Sequence, residues 1–272
     1  MVIQHNIAAI NSYRNLSTNQ SALSKNLEKL SSGYKINRAG DDAAGLAISE
    51  TMRSQINGLN QAVNNANDAI GLIQTAEGAM TETHSMLQRM KTLTTQAANG
   101  TYTEAARKNI QSEIDALNSE ITRIASTTEF NGEKPLSNGG KNLTFFIGAS
   151  SDKTNAMTVG QQNMTADALK VKAITVKTTT QAFQAMKAVD DAITTVSIYR
   201  AQLGAAQNRL EHTVNNLKVT SENITSAESR IRDTDMADEI TAYTKNNILL
   251  QAAQSMLSQS NAMPQGVLSM LQ

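Results

Sequence analysis

The sequence predicts a mainly α protein, an elongated antiparallel helical bundle of coiled-coil type with a small β-hairpin region. Apolar residues recur three and four positions apart over most of the 272 residues, which is the spacing of one helix face. The only prolines are Pro135 and Pro264, so long stretches without a helix breaker lie before and between them. Aromatic residues make up 3% of the chain and tryptophan is absent, which is unlike a compact globular core.

The first three helices are predicted from their apolar stripes and start signals. The first helix carries Leu16, Leu23, Leu27 and Leu30, and the stripe extends backwards, with a shift of phase, through Ile3, Ile7 and Ile10. Asp41 or Asp42 is placed to cap a second helix over about 43–98. Residues 101–104 have the spacing of a capping box before a third helix.

The fourth helix has an almost constant alternation of three and four from Met186 to Ile231, which is a heptad seam. Four polar residues interrupt this seam: Arg200, Gln207, Ser221 and Glu228. A last amphipathic stretch follows, and Pro264 is expected to end it. Its apolar members, continued to the end of the chain, include Ile240, Tyr243, Leu250, Leu257, Leu268 and Leu271.

Residues from about 128 to 178 differ from the rest of the chain. Turn signals occur at 130–132 and 138–140, and the segments 143–147 and 171–176 are typical of short strands. This is the region in which the sequence predicts β structure.

The second helix would be roughly 80 Å long at 1.5 Å per residue. A compact globule of this chain length has a diameter of only about 50 Å. The sequence therefore predicts a rod-like molecule rather than a globule.

Composition argues against several functions. The chain has 24 basic and 24 acidic residues, so no basic field attracts nucleic acid or an anionic membrane surface. It lacks cysteine, and His5, His84 and His212 are too few for a usual metal site. We find no motif of a hydrolase, a P-loop or a dinucleotide site, and no apolar run of membrane-spanning length. We therefore expect no enzyme activity, no cofactor or metal, and no membrane insertion.

The two chain ends, about 1–40 and 235–272, each carry one apolar stripe and little else. Isolated helices of this kind are marginal in water, so they need partners. The ends can pack on each other within one chain. Alternatively, they stay loose in the monomer and become ordered when copies assemble.

Three strings of the sequence closely resemble the signatures of bacterial flagellin. They are Ser31–Ile48 near the N-terminus and Leu203–Leu210 and Ala227–Ala237 in the C-terminal part. The similarity covers about 1–135 and 182–272, and only about 45 residues separate the two halves. The chain therefore resembles a short flagellin with almost no variable outer domain.

The resemblance implies an inner domain made of the terminal helices, 1–40 with 235–272, and a rod-like domain over 41–234. It also implies that many copies polymerise into the extracellular filament that is turned by the flagellar motor for swimming. The terminal helices would become ordered on polymerisation. The first residues lack the basic and apolar segments of a signal peptide, which fits flagellar type III export without cleavage.

The resemblance also implies partners. The stripe from Ile240 to Leu271 resembles the region held by the export chaperone, and the filament cap and the hook–filament junction proteins would be further partners. Arg89, Leu93 and Glu113 match the positions that contact the animal Toll-like flagellin receptor. We expect the polar seam residues of the fourth helix to keep its packing adjustable and so to tune filament form. Two alternatives are a hook–filament junction protein and a secreted coiled-coil adhesin or effector unrelated to flagella.

Overall fold

The structure, a computed structural model, describes residues 6–137, 139–150 and 152–270, and the side chains of 267–270 are not described. Within these ranges the helices are α1 (Ile7–Ser32), α2 (Ala43–Ala98), α3 (Glu104–Thr127), α4 (Thr179–Arg232) and α5 (Met236–Met270). Strands β1 (Asn142–Phe146) and β2 (Ala156–Gly160) form a two-stranded antiparallel sheet in which Thr144 pairs with Thr158. The predicted mainly α fold and the small antiparallel β-hairpin are confirmed.

The described chain divides into two compact units. The terminal unit joins the chain up to Ser54 with the chain from Glu222 onward, and the central unit runs from Gln55 to Ser221. The terminal unit thus contains α1, α5, the first residues of α2 and the last residues of α4. The predicted inner domain, 1–40 with 235–272, lies within this unit.

The central unit has a hydrophobic core built from α2, α3 and α4. Its largest fully buried side chains include Ile73, Met80, Leu87, Ile114, Ile121, Tyr199 and Leu210. Helices α2 and α4 are antiparallel, because Lys91 pairs with Asp190 at 2.7 Å and Glu77 with Arg200 at 3.6 Å. Helix α2 approaches the β region closely at Gly58, where an added Cβ would lie 3.1 Å from the Cβ of Ala149.

The helix starts are capped by side chains close to those predicted. The carboxylate of Asp42 accepts the backbone N–H of Gly45 at 2.9 Å and so caps α2. Asp41 instead accepts the N–H groups of Asn37 and Arg38, and these hydrogen bonds lower its pKa. Helix α3 is capped by Thr103, and not by the first residue of the predicted capping box.

The expected strand over 171–176 is wrong. This segment forms turns and extended backbone, and its polar groups pair with side chains of α3. Asn118 Nδ2 donates to the carbonyl oxygen of Val171 at 3.0 Å, and the amide of Gln111 bonds to both Ile174 and Val176. Side chains of a helix thus supply the hydrogen bonds that a neighbouring strand would otherwise supply.

The prediction that Pro264 ends the last helix is also wrong, since α5 continues through it to Met270. Proline has no N–H, so the carbonyl oxygen of Ser260, four residues earlier, loses its usual helical donor. That oxygen accepts a hydrogen bond of 2.9 Å from Asn6 Nδ2. A residue near the start of α1 therefore compensates for the proline in α5.

Candidate assembly surface of the terminal helices

Helices α1 and α5 pack against each other in antiparallel orientation. Asn6 at the start of α1 contacts Ser260 late in α5, and Lys29 near the end of α1 lies 4.0 Å from Glu239 early in α5. The covered residues of both helices alternate three and four apart, which is the seam of a two-stranded coiled coil. On α1 they are Ala9, Ser12, Leu16, Asn19, Leu23, Asn26 and Leu30. On α5 they are Glu239, Tyr243, Asn246, Leu250, Ala253, Leu257, Ser260 and Pro264.

The seam contains a polar contact at Asn26, which is buried. With its amide oriented to match its neighbours, Asn26 Nδ2 donates to the carbonyl oxygen of Ala22 at 2.9 Å and to Glu239 Oε1 at 3.3 Å. Its Oδ1 accepts from Asn246 Nδ2 at 3.2 Å. A polar residue at one seam position fixes the register of a coiled coil at some cost in stability. Asn26 therefore aligns the two terminal helices.

Away from the seam, both helices expose large apolar side chains. We call these two sets the outer faces. The outer face of α1 comprises Ile7, Ile10, Tyr13 and Leu27. The outer face of α5 comprises Met236, Ile240, Ile248, Leu249, Met256 and Met263. Their exposure runs from 40% for Leu249 to 64% for Tyr13, which leaves a large apolar area in water.

A groove of about 340 Å³ runs between the two helices beside the outer face of α5. Leu249 and Met256 line it from α5, together with two alanines. Ser12, Asn15, Thr18 and Asn19 line it from α1. The groove therefore has one apolar wall and one polar wall.

The segment between α1 and α2 and the segment between α4 and α5, which we call the connectors, are held together by contacts around Tyr34. The guanidinium of Arg232 lies 4.7 Å from the centroid of the Tyr34 ring, and that of Arg53 lies 5.8 Å from it. Arg53 also donates to the Tyr34 hydroxyl at 3.0 Å, and this hydrogen bond raises the pKa of Arg53. Arg232 pairs with Glu50 at 2.7 Å, and Arg53 lies 4.0 Å from Glu228. The Tyr34 ring thus receives two cations, each of which is paired with a carboxylate.

Two family profiles match the chain. The bacterial flagellin N-terminal helical region matches residues 3–141, and the bacterial flagellin C-terminal helical region matches residues 186–271. The flagellin of Bacillus subtilis (strain 168) is 51% identical, with all of both chains covered. The chain belongs to the bacterial flagellin family. A flagellar filament core protein of Treponema phagedenis is 46% identical, again with all of both chains covered.

Solved structures agree with this family. The crystal structure of Bacillus cereus flagellin matches with a TM-score of 0.51 and 30% identity, over 61% of this chain and 94% of that one. A putative flagellar hook-associated protein from Vibrio parahaemolyticus matches with a TM-score of 0.58 over 71% of this chain and all of that one. At 14% identity the second match shows the fold alone.

Membership in the flagellin family establishes the general function. The chain is a structural subunit of the extracellular flagellar filament, which serves motility, and it is not an enzyme. The alternative of a secreted coiled-coil adhesin or effector unrelated to flagella is therefore wrong. Within the described residues, no helix is both long and apolar enough to span a membrane. In that same part of the flagellin, no group of three or more potential ligand side chains is arranged to hold a metal ion.

The residues predicted for assembly divide into three groups. Leu16, Leu23, Leu30, Tyr243, Leu250 and Leu257 lie in the seam between α1 and α5. Ile7, Ile10, Leu27 and Ile240 lie on the outer faces. Ile3, Leu271 and the side chain of Leu268 lie outside the described residues. Sequence reasoning missed Tyr13, Ile248, Leu249 and Met263, although Leu249, Met256 and Met263 repeat every seven residues.

The polar residues expected in the α4 seam lie beside its buried positions. Tyr199 and Ala206 are the buried residues, and Arg200 and Gln207, one position later, are half-buried at the seam edge. Arg200 contacts Glu77, and Gln207 Nε2 donates to Glu211 Oε1 at 2.9 Å. Of the remaining two, Ser221 Oγ lies 3.2 Å from Asn60 Oδ1, and Glu228 lies 4.0 Å from Arg53.

The three positions matched to the receptor contact differ in exposure. Arg89 and Glu113 form an exposed ion pair between α2 and α3, with 2.8 Å between Arg89 Nη2 and Glu113 Oε1. Leu93 is 2% exposed and belongs to the hydrophobic core. Its side chain therefore supports the α2 backbone and does not lie on the surface of the subunit.

Proposed function

We propose that the outer faces of α1 and α5 are covered by other copies of the chain and form the inner core of the filament. We also propose that these two helices become stably ordered only on polymerisation. One observation carries both proposals. Among the described side chains of α1 and α5, the buried ones are Leu23, Asn26 and Ser260, which are 5–9% exposed, and Leu23 alone of these is apolar.

A pair of helices with 26 and 35 residues needs more apolar burial than this to be stable in water. The outer faces hold ten large apolar side chains that a neighbouring copy would bury. Full burial of such a side chain contributes about 1.5–3 kcal/mol, and these side chains, which are 40–64% exposed, would each gain about half of that. Assembly would therefore supply the free energy that the pair lacks alone, which couples helix ordering to polymerisation.

Seeded filament growth with the full-length chain tests the assembly proposal. Ile10→Ser and Ile248→Ser each remove an apolar side chain that is more than half exposed. We expect each to slow growth onto filament fragments by about tenfold or more, while the melting temperature of the central unit stays unchanged. Ile198→Ser is the matched control, since Ile198 is 55% exposed but lies in the central unit. Equal loss of growth in the control, or normal growth of both outer-face variants, would contradict the proposal.

A shortened chain over 41–234, which lacks both terminal helices, is a second test of the assembly proposal. It retains the whole core of the central unit, so we expect it to fold. It lacks α1 and α5, so we expect it to form no filaments. Filaments grown from this chain would refute a role for the terminal helices in assembly.

Hydrogen exchange tests the ordering proposal separately. Amides of α1 and α5 are expected to exchange fast in the free subunit and slowly in the filament, whereas core amides of α3 are protected in both states. Strong protection of α1 and α5 in the free subunit at low concentration would overturn coupled ordering and leave the assembly proposal standing.

We further propose that the half-buried polar residues along α4 let the filament change its helical form. Arg200 and Glu228 support this idea, because their ion pairs of 3.6 and 4.0 Å are loose. Gln207 and Ser221 extend the polar series along the same helix. Apolar substitutions at these four positions should lock one waveform, seen by microscopy of swimming cells. Unchanged switching between waveforms would count against the proposal.

The remaining partners are proposed from the exposed surfaces. The outer face of α5 is an amphipathic helix face of the kind that an export chaperone binds in a groove. Capping and hook–filament junction proteins would cover the same terminal helices at the filament ends. The absence of cysteine is suited to export of an unfolded chain by the flagellar type III route, because no disulfide can form in transit.

For the Toll-like receptor of an animal host, we propose Arg89 and Glu113 as the contact residues and Leu93 as a supporting core residue. Exchange of Arg89 for alanine should weaken receptor activation and cost the subunit only about 0–1 kcal/mol. Leu93→Ala should instead destabilise the central unit by about 2–5 kcal/mol. Activation that is insensitive to Arg89→Ala and Glu113→Ala together would contradict this assignment.

A further inference from the structure

Three exposed methionines lie on the outer face of α5, and two of them, Met256 and Met263, lie in one line. Met256 and Met263 are 62% and 50% exposed, and they follow Leu249 at intervals of seven residues. Residues seven apart lie on one side of a helix, so these three side chains form a single line, which we call the methionine stripe. Its middle residue, Met256, also lines the groove between α1 and α5.

Four methionines of the central unit are buried. Met80, Met90 and Met164 are at most 1% exposed in the core of the central unit, and Met157 is 5% exposed. Thioether oxidation follows access of the oxidant to the sulfur atom. An oxidant in solution therefore reaches Met256 and Met263 in the subunit long before it reaches the buried sulfur atoms.

We propose that Met256 and Met263 are oxidative modification sites that control assembly, and that their conversion to methionine sulfoxide by a peroxide or hypochlorous acid prevents the subunit from joining a filament. This inference rests on the proposed function, in which the outer face of α5 is covered by a second copy of the chain.

The reaction is a two-electron oxygen transfer. With hydrogen peroxide, the sulfur lone pair attacks one peroxide oxygen, an S–O bond forms and the O–O bond breaks. The second oxygen leaves as water after taking up the proton of the first. Each thioether is oxidised to a sulfoxide and each peroxide is reduced to water, so no further reactant is required.

The sulfoxide would affect assembly more than the subunit. A sulfoxide is a strong hydrogen-bond acceptor, and covering it with an apolar surface removes its hydration without replacing it. In the free subunit both positions stay in water, and neither belongs to the core of the central unit. We therefore expect the oxidised subunit to keep its fold and to lose growth.

The experiment compares three full-length chains before and after hydrogen peroxide, all of which carry Met236→Leu: this variant alone, the variant with Met256→Leu/Met263→Leu added, and the variant with Met186→Leu added. Leucine keeps the apolar volume but cannot be oxidised. Met236 is 45% exposed on the outer face of α5, so it is replaced in all three chains. Met186 is half-buried in the central unit, so its variant is the matched control. Mass spectrometry of peptides reports the sulfoxide at each position, and growth onto untreated filament fragments reports assembly.

Each chain is compared with its own growth before peroxide. We expect peroxide to lower growth of the Met236→Leu chain and of its Met186→Leu variant by about tenfold, while the chain with Met256→Leu/Met263→Leu added keeps its growth within about twofold. Methionine sulfoxide reductases should restore growth of the oxidised chain. In finished filaments the two stripe positions should oxidise more slowly than in subunits.

Full oxidation of both positions with unchanged growth would overturn the inference, and so would equal loss of growth in the chain with Met256→Leu/Met263→Leu added. Neither result bears on the proposed function, because that function is tested by filament growth of the unoxidised chain. Failure of Ile10→Ser and Ile248→Ser to slow growth would instead contradict the proposed function itself.

Discussion

The side-chain nitrogen of Asn6 donates a hydrogen bond of 2.9 Å to the carbonyl oxygen of Ser260, 254 residues later in the chain. The oxygen of the same Asn6 amide accepts the backbone N–H of Ala9 and caps α1. One side chain thus begins the first terminal helix and satisfies the carbonyl group that Pro264 leaves without a helical donor in the last one. This link allows α5 to continue as a helix past its proline.

A double-mutant cycle tests this link. Asn6→Ala removes the cap, at about 0.5–2 kcal/mol, and also leaves the Ser260 oxygen without its donor, at about 1–3 kcal/mol. In the Pro264→Ala background, the restored backbone N–H at position 264 donates to the carbonyl oxygen of Ser260. Asn6→Ala should then lower stability only by the contribution of the helix cap. The measurement is the temperature at which filaments dissociate. Additive effects of the two substitutions would show that Asn6 does not compensate for Pro264.

The second prediction concerns Tyr34, whose ring lies against the guanidinium groups of Arg232 and Arg53. Tyr34→Leu removes both cation–π contacts. It should lower the free energy that holds the two connectors together by about 1–2 kcal/mol. Tyr34→Phe keeps both contacts and loses only the hydrogen bond from Arg53, so its effect should be smaller.

Two backbone amides report this change directly. The N–H of Lys35 donates to the carbonyl oxygen of Arg232, and the N–H of Thr234 donates to that of Gly33. Their hydrogen exchange should be about 5–30-fold faster in Tyr34→Leu than in the unsubstituted chain. Equal exchange rates in the leucine and phenylalanine variants would exclude a role for the stacked arginines.

The third prediction concerns Gln111, which holds the 171–176 segment on α3. Its Oε1 accepts the N–H of Val176 at 2.8 Å, and its Nε2 donates to the carbonyl oxygen of Ile174 at 3.1 Å. Gln111→Ala should cost about 1–3 kcal/mol and accelerate exchange of the Val176 amide. Gln111→Glu keeps the acceptor and should leave that amide better protected. If the alanine variant protects Val176 as well as the glutamate variant does, another group holds the segment.

The fourth prediction concerns alkaline pH. Burial raises the pKa of Tyr199 above its ordinary value of 10.0, so the folded chain favours the neutral phenol. The resulting stabilisation is complete below pH 10 and is lost as the pH rises through the folded pKa, because the unfolded chain ionises first. Tyr199→Phe removes this contribution to the loss of folding stability at alkaline pH. At neutral pH it costs about 0.5–1.5 kcal/mol, since the 3.4 Å hydrogen bond to Gly160 and the hydrogen bond with the Gln162 backbone disappear.

Thermal unfolding of the two chains between pH 8 and about 11.5 measures this difference. The gap between their melting temperatures should narrow or reverse at the alkaline end. A constant gap over the whole range would mean that Tyr199 ionises as readily in the folded chain as in the unfolded one.

The sequence predicts the long helices well because their signals are local. The apolar spacing of α2 and the cap at Asp42 predict its range of 43–98, which the structure shows as Ala43–Ala98. Strand β1 also follows from the local pattern of residues 143–147, whereas its partner β2 at Ala156–Gly160 is missed. Each of the predicted elements depends on residues that are neighbours in the chain.

The wrong predictions depend on distant residues. Residues 171–176 have the composition of a strand, but their backbone groups form hydrogen bonds with the side chains of Gln111 and Asn118 on α3. The proline rule predicts the end of α5, but the compensating group is Asn6, at the other end of the chain. Spacing alone also could not distinguish Tyr199 from Arg200 as the buried seam residue, since both fit a spacing of three or four.

The candidate site shows the same division. The sequence predicts that the terminal stripes are assembly elements, but it does not separate the residues that α1 and α5 bury against each other from those they leave exposed. The seam takes Leu16 and Leu23 of α1, while Ile7 and Ile10, which continue the stripe with a shift of phase, lie on the outer face. That division depends on the pairing of the helices, which only the fold provides.

Cysteine labelling tests the central claim, that the outer faces are covered by neighbouring copies, most directly. The chain has no cysteine, so Ile10→Cys, Ile248→Cys and Lys153→Cys each introduce a single thiol at an exposed position. The account predicts that Cys-reactive reagents label all three variants as subunits, and that in filaments only the Lys153→Cys variant, in the β region, still reacts. Labelling of the Ile10→Cys and Ile248→Cys variants at the same rate in filaments as in subunits would contradict it.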